Sequence, residues 1–180
     1  HGGCGRREFA PYSDIDFMAL YRGQLDSTIE EFARKLTQAI FDTGFQLGFS
    51  LRTPRQACSM ALEDPAIFSS LTESRIIGGS TDLYVNYMSR FRRIVGRRAT
   101  HIIRAIVIAR AAESQKFGET VYLLRPNVKK TRGGLRDVHL VRWLGFVRFG
   151  ETDIDQLCRK GALPQVDALR LQKANEFLLR

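Results

Sequence analysis

The chain has 180 residues, 44% hydrophobic and 26% charged, which is enough for a sizeable core and argues against a disordered or low-complexity chain. Its 28 basic against 19 acidic residues give a net charge of +9, which suits polyanionic partners such as nucleoside triphosphates, nucleic acid or an acidic protein without choosing among them. Cys4, Cys58 and Cys158 are sparse and contain no C-x-x-C pair, which argues against a disulfide framework and for a reducing cytoplasm; no signal peptide is evident, and the apolar run Ile102 to Ala109 is interrupted by Arg104 and too short for a bilayer.

The chain begins at His1 with a glycine pair, Gly2 and Gly3, followed by a turn rich in Arg and Pro. A Gly-Gly turn normally turns from a strand, so a first strand is expected to precede this sequence. Asp14 to Leu20 is predicted as a strand. Alternation places Asp14 and Asp16 on one face and Ile15 and Phe17 on the other. Two carboxylates this close repel unless a cation lies between them. Mg²⁺ suits that place, because it takes one or two carboxylates and completes its shell with water and phosphate. Glycines, lacking Cβ, let backbone N–H groups approach a phosphate. Neither pattern alone is specific; together they point to a metal-dependent nucleotidyltransferase, against a plain turn and a solvated acidic face.

Ser27 to Gly44 is predicted helical, with Ser27 and Glu30 as a capping box and Ile29, Phe32, Ala33, Leu36 and Ile40 as the apolar stripe. Phe45 to Thr53 reads as a strand. A helix between two strands implies an α/β core, with parallel strands if they are neighbours. Thr53-Pro54 and Asp64-Pro65 each start a helix, the second running to Ile77 and ended by Gly78 and Gly79. Thr81 is predicted to cap a long helix reaching about Glu113, with Gly96 as the point where it would break. Glu119 to Pro126 reads as a strand, 127–134 as a loop and Leu135 to Phe149 as a helix around Trp143. Two further helices are expected, Asp153 to Lys160 and Gln165 to Arg180. A soft boundary near residue 126 separates a mixed core, 1–126, from a basic loop with a helical extension, 127–180.

Three further constellations carry chemistry. In Arg125 to Asp137, the cations Lys129, Lys130, Arg132 and Arg136 surround Gly133 and Gly134 ahead of a helix start. Free N–H groups and the helix dipole there favour anions, so the stretch reads as a triphosphate clamp or as a basic surface loop. Between Asp82 and Glu113 there is no acid, yet Arg90, Arg92, Arg93, Arg97, Arg98, Arg104 and Arg110 occur. That basic surface fits an acidic partner or neighbouring domain better than nucleic acid, since a charge run reads no bases. In Leu47 to Gly79 the chemically interesting members are Arg52, Asp64, Glu73 and Arg75; Asp64 is explained as a helix cap, and Glu73 with Arg75 as surface charge.

The blocks GGCGRREFAPYSDIDF, LGFSLRT with ESRIIGG, and YLLRPNVKKTRGGLRD with its Trp-bearing helix stand in the order that resembles the nucleotidyltransferase domain of the bifunctional uridylyltransferase/uridylyl-removing enzymes of PII, within the DNA polymerase β-like superfamily. The resemblance implies an α/β (α+β) fold with a small mixed sheet and a largely helical C-terminal part. It implies transfer of UMP from UTP to a tyrosine of PII with Mg²⁺. Asp14 and Asp16 match the metal and catalytic carboxylates. Gly2, Gly3, Arg6, Arg7, Ser13, Lys129, Gly133, Gly134 and Arg136 match nucleotide-binding positions. Phe49 departs from the family's usual His, Cys4 from its Tyr. The partners implied are UTP, PII, and the phosphohydrolase and ligand-sensing domains of a longer chain, with no membrane. Rival readings are an adenylyltransferase, a nucleic-acid-binding module and a non-catalytic regulatory domain.

Overall fold

A computed structural model describes residues 1–8, 14–117 and 127–180. The described elements are mostly helical with one two-stranded parallel sheet, so the α/β expectation holds. The chain divides into two compact units, His1–Ile94 and Val95–Arg180. The boundary expected near residue 126, the strand Glu119 to Pro126 and Ser13 all lie outside the described residues.

The first unit opens on a short helix α1 (Gly2–Arg6) rather than a plain glycine turn, ended by Arg7 in the left-handed region at φ 62°. Strand β1 (Ile15–Leu20) follows, then helix α2 (Ser27–Phe41) and strand β2 (Leu47–Arg52). The α2 cap is Asp26, whose carboxylate accepts from the Ile29 N–H at 2.9 Å, and not Ser27: the carboxylate one residue earlier takes the orphan donor. Of the predicted α2 stripe, Ala33 is buried while Phe32 is 59% exposed.

Helix α3 (Pro54–Glu63) starts as predicted, with a capping box between Thr53 and Gln56. Helix α4 (Pro65–Thr72) ends five residues before the expected Ile77. Past Thr72 the chain leaves the helix, and Glu73 and the Ser74 carbonyl find partners in Arg6 and the Tyr84 hydroxyl. Helix α5 (Thr81–Arg97) begins after Ser80, whose hydroxyl accepts from the Leu83 N–H, so Ser80 rather than Thr81 is its cap. The core of this unit packs Ala57, Cys58 and Ala61 of α3 with Phe68 and Leu71 of α4 and Tyr87 and Phe91 of α5. Tyr87 and Phe91 stack with ring centres 5.9 Å apart.

In the second unit the long helix breaks at Arg98 and resumes as α6 (Ala99–Phe117). Helix α7 (Leu135–Phe149) has the predicted bounds, set by Gly134 before it and Gly150 after it. Helices α8 (Ile154–Arg159), capped by Asp153, and α9 (Gln165–Leu179) pack on α7. Ile102, Ile106, Val138, Trp143, Phe146 and Leu157 form its interior. No helix among the described residues is long and apolar enough to cross a membrane.

Candidate nucleotide cleft

The two strands pair in parallel with Asp16 opposite Gly48, Met18 opposite Ser50 and Leu20 opposite Arg52. Alternation then assigns opposite chemistry to the two faces. Phe17 and Phe49 stack at 6.2 Å with rings 12° apart. Phe49, the departure from the family's His, is thus engaged with a β1 aromatic. Asp16, Met18, Gly48, Ser50 and Arg52 line a cleft of about 370 Å³, closed from the helical side by Ser70 and Leu71 of α4.

Two glycines hold the Asp16 carboxylate in place. A Cβ at Gly2 would lie 2.7 Å from Asp16 Oδ2, and one at Gly48 would lie 2.9 Å from Oδ1. Any side chain at either position would drive into the carboxylate, and Gly2 also takes φ +62°, a conformation L-residues rarely adopt. The same point beside Gly2 is 3.6 Å from Ser70 Oγ, and that hydroxyl is hydrogen-bonded to His1 Nδ1. The cleft therefore gathers a carboxylate, two serine hydroxyls, an imidazole and the Arg52 guanidinium. Asp14 stands two residues earlier, exposed, just before β1.

The donor set suits a hard divalent cation. Asp16 presents oxygen ligands inside the cleft, and Asp14 adds a solvated carboxylate at its edge. Among the described residues no group of three or more His, Cys, Asp or Glu converges, so a cation here would complete its shell with water and phosphate oxygen.

The neighbouring arginines differ from one another. Arg6 is held by carboxylates: its Nε donates to Glu8 Oε2 at 2.5 Å and its Nη1 to Glu73 Oε2. Burial alone would lower the Arg6 pKa, but Glu73 and Glu8 outweigh it and raise it above its ordinary value. Arg7 is exposed. Glu73, expected as surface charge, is 7% exposed and ion-paired; its partner lies 67 positions away, beyond any local pattern. Arg75 is exposed, and its Nε donates to the Cys4 carbonyl. Asp64 is a helix cap as expected, accepting from the Ala66 N–H at 2.7 Å.

In the second unit the basic loop is internally bonded. The N–H groups of Gly133, Gly134, Leu135 and Arg136 donate to Asp137 Oδ2 and to the carbonyls of Thr131, Val128 and Lys129. The free donors expected at this helix start are thus engaged, and two of the loop's cations have partners as well: Arg136 faces Glu113 and Trp143, and Lys130 lies over the Phe117 ring. Arg110, counted with the uncompensated arginines, is instead buried and fastens this loop, pairing with Asp137 at 2.7 Å and reaching the Lys130 and Thr131 carbonyls at 2.9 Å.

Sequence reasoning named Asp16, singled out Arg52 without giving it a place, and missed Ser50 and Ser70 as cleft residues. Ser50 was within reach: once LGFSLR is paired in register with IDFMAL, Gly48, Ser50 and Arg52 fall on the Asp16 face. Ser70 had no local signal.

A family model described as GlnD PII-uridylyltransferase matches residues 101–180. A bifunctional uridylyltransferase/uridylyl-removing enzyme of Erythrobacter litoralis is 32% identical over 179 residues, covering 99% of this chain and 20% of that protein. Enzymes of the same name from Burkholderia mallei and Burkholderia pseudomallei are 33% identical over 177 residues, 98% of this chain and 20% of theirs. The chain thus spans about a fifth of the length of the curated relatives it matches. No solved structure matches. With the similarity running nearly end to end, the chain is similar to one stretch of the longer bifunctional uridylyltransferase/uridylyl-removing enzymes.

Proposed function

We propose that this chain carries the nucleotidyl-transfer chemistry of that family: transfer of UMP from UTP to a tyrosine hydroxyl of PII, dependent on Mg²⁺, in the reducing cytoplasm. The observation that carries the reading is the Asp16 carboxylate seated between Gly2 and Gly48 at the wall of the cleft. Asp14 and Asp16 would hold the cation. Mg²⁺, when bound, supplies positive charge that polarises the phosphate and steadies the departing oxygen. The chain's own residues do the positioning. Arg52 supplies a guanidinium for phosphate oxygens, Ser50 and Ser70 supply hydroxyl donors, and the Gly2-Gly3 backbone lets the triphosphate approach closely. Within the same unit the side chain of Arg7 provides further positive charge for the nucleotide. The remaining four-fifths of the relatives' length is the source of further domains in a longer protein.

The test is incubation of the chain with labelled UTP, Mg²⁺ and a PII protein. Label should appear on PII as a tyrosine ester and require the metal. Label from ATP and none from UTP would replace uridylylation by adenylylation. Transfer from neither nucleotide, by folded protein, would overturn the reading.

A further inference from the structure

A second cleft, of about 680 Å³, opens in the Val95–Arg180 unit where α6 begins. It is lined by Arg97 at the end of α5, Arg98 between the two helices, Thr100 and His101 in the first turn of α6, and Arg148 in the last turn of α7. Among the described residues no carboxylate lines it. Among the described residues, no side-chain hydrogen bond or ion pair engages Arg97, Arg98 or Arg148, in contrast to Arg110 on α6, whose guanidinium is engaged. Three guanidinium groups gathered around one cavity repel one another, and an anion among them turns that repulsion into attraction.

The donor count selects the anion. Each guanidinium offers five N–H donors in a rigid fork, and Thr100 adds a hydroxyl. A carboxylate, with two oxygens, cannot engage three forks at once, whereas linked phosphates can. Among the described residues no Phe, Tyr or Trp on which a base would stack lines the cavity, which disfavours a nucleic-acid strand. We propose that this cleft binds the phosphate chain of a small polyphosphate-bearing ligand. The source is either free inorganic polyphosphate or the phosphates of a nucleotide. The proposal is independent of the transfer chemistry assigned to Asp16.

Binding of tripolyphosphate and of UTP to the chain, without divalent metal, is read by calorimetry. Substituting Arg97, Arg98 and Arg148 together by Gln should weaken tripolyphosphate binding by about tenfold or more, and Arg148→Gln alone by about threefold. A charge-matched variant, Arg90→Gln with Arg93→Gln and Arg104→Gln, should stay within about twofold of the parent. Asp16→Asn should leave this binding unchanged, so failure here and failure of the transfer reading are separable. Tripolyphosphate and UTP weakened alike identify the phosphate chain as the recognised group; tripolyphosphate alone weakened points to free polyphosphate. Equal losses in the cleft and charge-matched variants would overturn the proposal, because net charge would then explain the binding. So would an RNA oligonucleotide bound far more tightly than tripolyphosphate, or a cleft variant that melts like the parent and binds like it.

Discussion

Arg110 Nε donates to Asp137 Oδ1 at 2.7 Å, joining α6 to the first turn of α7 across 27 positions of sequence. The same guanidinium donates to the carbonyls of Lys130 and Thr131, so one side chain closes the basic loop onto the helix it precedes. Arg110 is 6% exposed. Removing it takes a charged donor from two carbonyls and a carboxylate together. Arg110→Met should cost the second unit about 3 kcal/mol, the scale of breaking a buried charged network. Arg110→Lys keeps the charge but not the fork, and should recover less than half of the loss. Urea melts of the two variants beside the parent check both; equal stability of Met and parent would show that the loop needs no such fastening.

Helix α7 was legible because its signals are local: glycines stand at both ends and the apolar pattern lies between them. The Asp16 face was legible because alternation needs no knowledge of the partner strand. Glu73 and Arg110 were misread for one shared reason. Each has its shorter ion pair with a residue far away in sequence, Arg6 for Glu73 and Asp137 for Arg110, which a local window does not show. The early end of α4 belongs to the same class, since Glu73 and Ser74 leave the helix for distant partners. At α2 the miss was small and local: two adjacent capping residues competed, and the carboxylate of Asp26 won.

Gly5 separates packing from conformation. A Cβ there would lie 1.6 Å from the Glu73 carbonyl oxygen, a contact only backbone movement could relieve. Gly78, by contrast, has nothing within 4 Å and no positive φ. Gly5→Ala should therefore destabilise the first unit by about 3 kcal/mol, at the upper end for overpacking. Gly78→Ala should be neutral or stabilising by about 0.5 kcal/mol, through reduced freedom of the unfolded chain. Thermal melting of the pair decides; a Gly5→Ala protein melting with the parent would mean that α1 does not rest on residue 73.

The three thiols should react unequally. Cys58 is 1% exposed, and burial pushes its pKa up, with the Arg90 charge pulling weakly the other way. A raised pKa means less thiolate at a given pH, and thiolate is the nucleophile. Iodoacetamide at mildly alkaline pH should label Cys4 and Cys158, both partly exposed, well before Cys58. The proton held by Cys58 in the folded state also stabilises it below the ordinary thiol pKa, and that contribution should be lost as pH rises through the raised value. Peptide mass mapping after brief alkylation checks the order; early modification of Cys58 in folded protein would contradict it.

The decisive variants lie at Asp14, Asp16 and Asp64. Asp16 is the carboxylate wedged between Gly2 and Gly48, and Asn keeps its size while removing the charge a cation needs. If Asp14 and Asp16 hold the metal, Asp14→Asn and Asp16→Asn should each lower UTP turnover by about a thousandfold, the scale of losing one electrostatic group from a phosphoryl-transfer site. Folding should hold, because carboxylates near one another on one strand edge repel when no cation is bound. Asp64 caps α4 by accepting from the Ala66 N–H, and Asn caps as well as Asp. Asp64→Asn should therefore keep both turnover and melting temperature. Turnover and melting measured side by side separate the roles. An Asp64→Asn protein that melts normally but loses turnover with Asp16→Asn would move a third carboxylate into the reaction. Parent-like turnover by both strand variants would remove the two-carboxylate site, and the transfer chemistry with it.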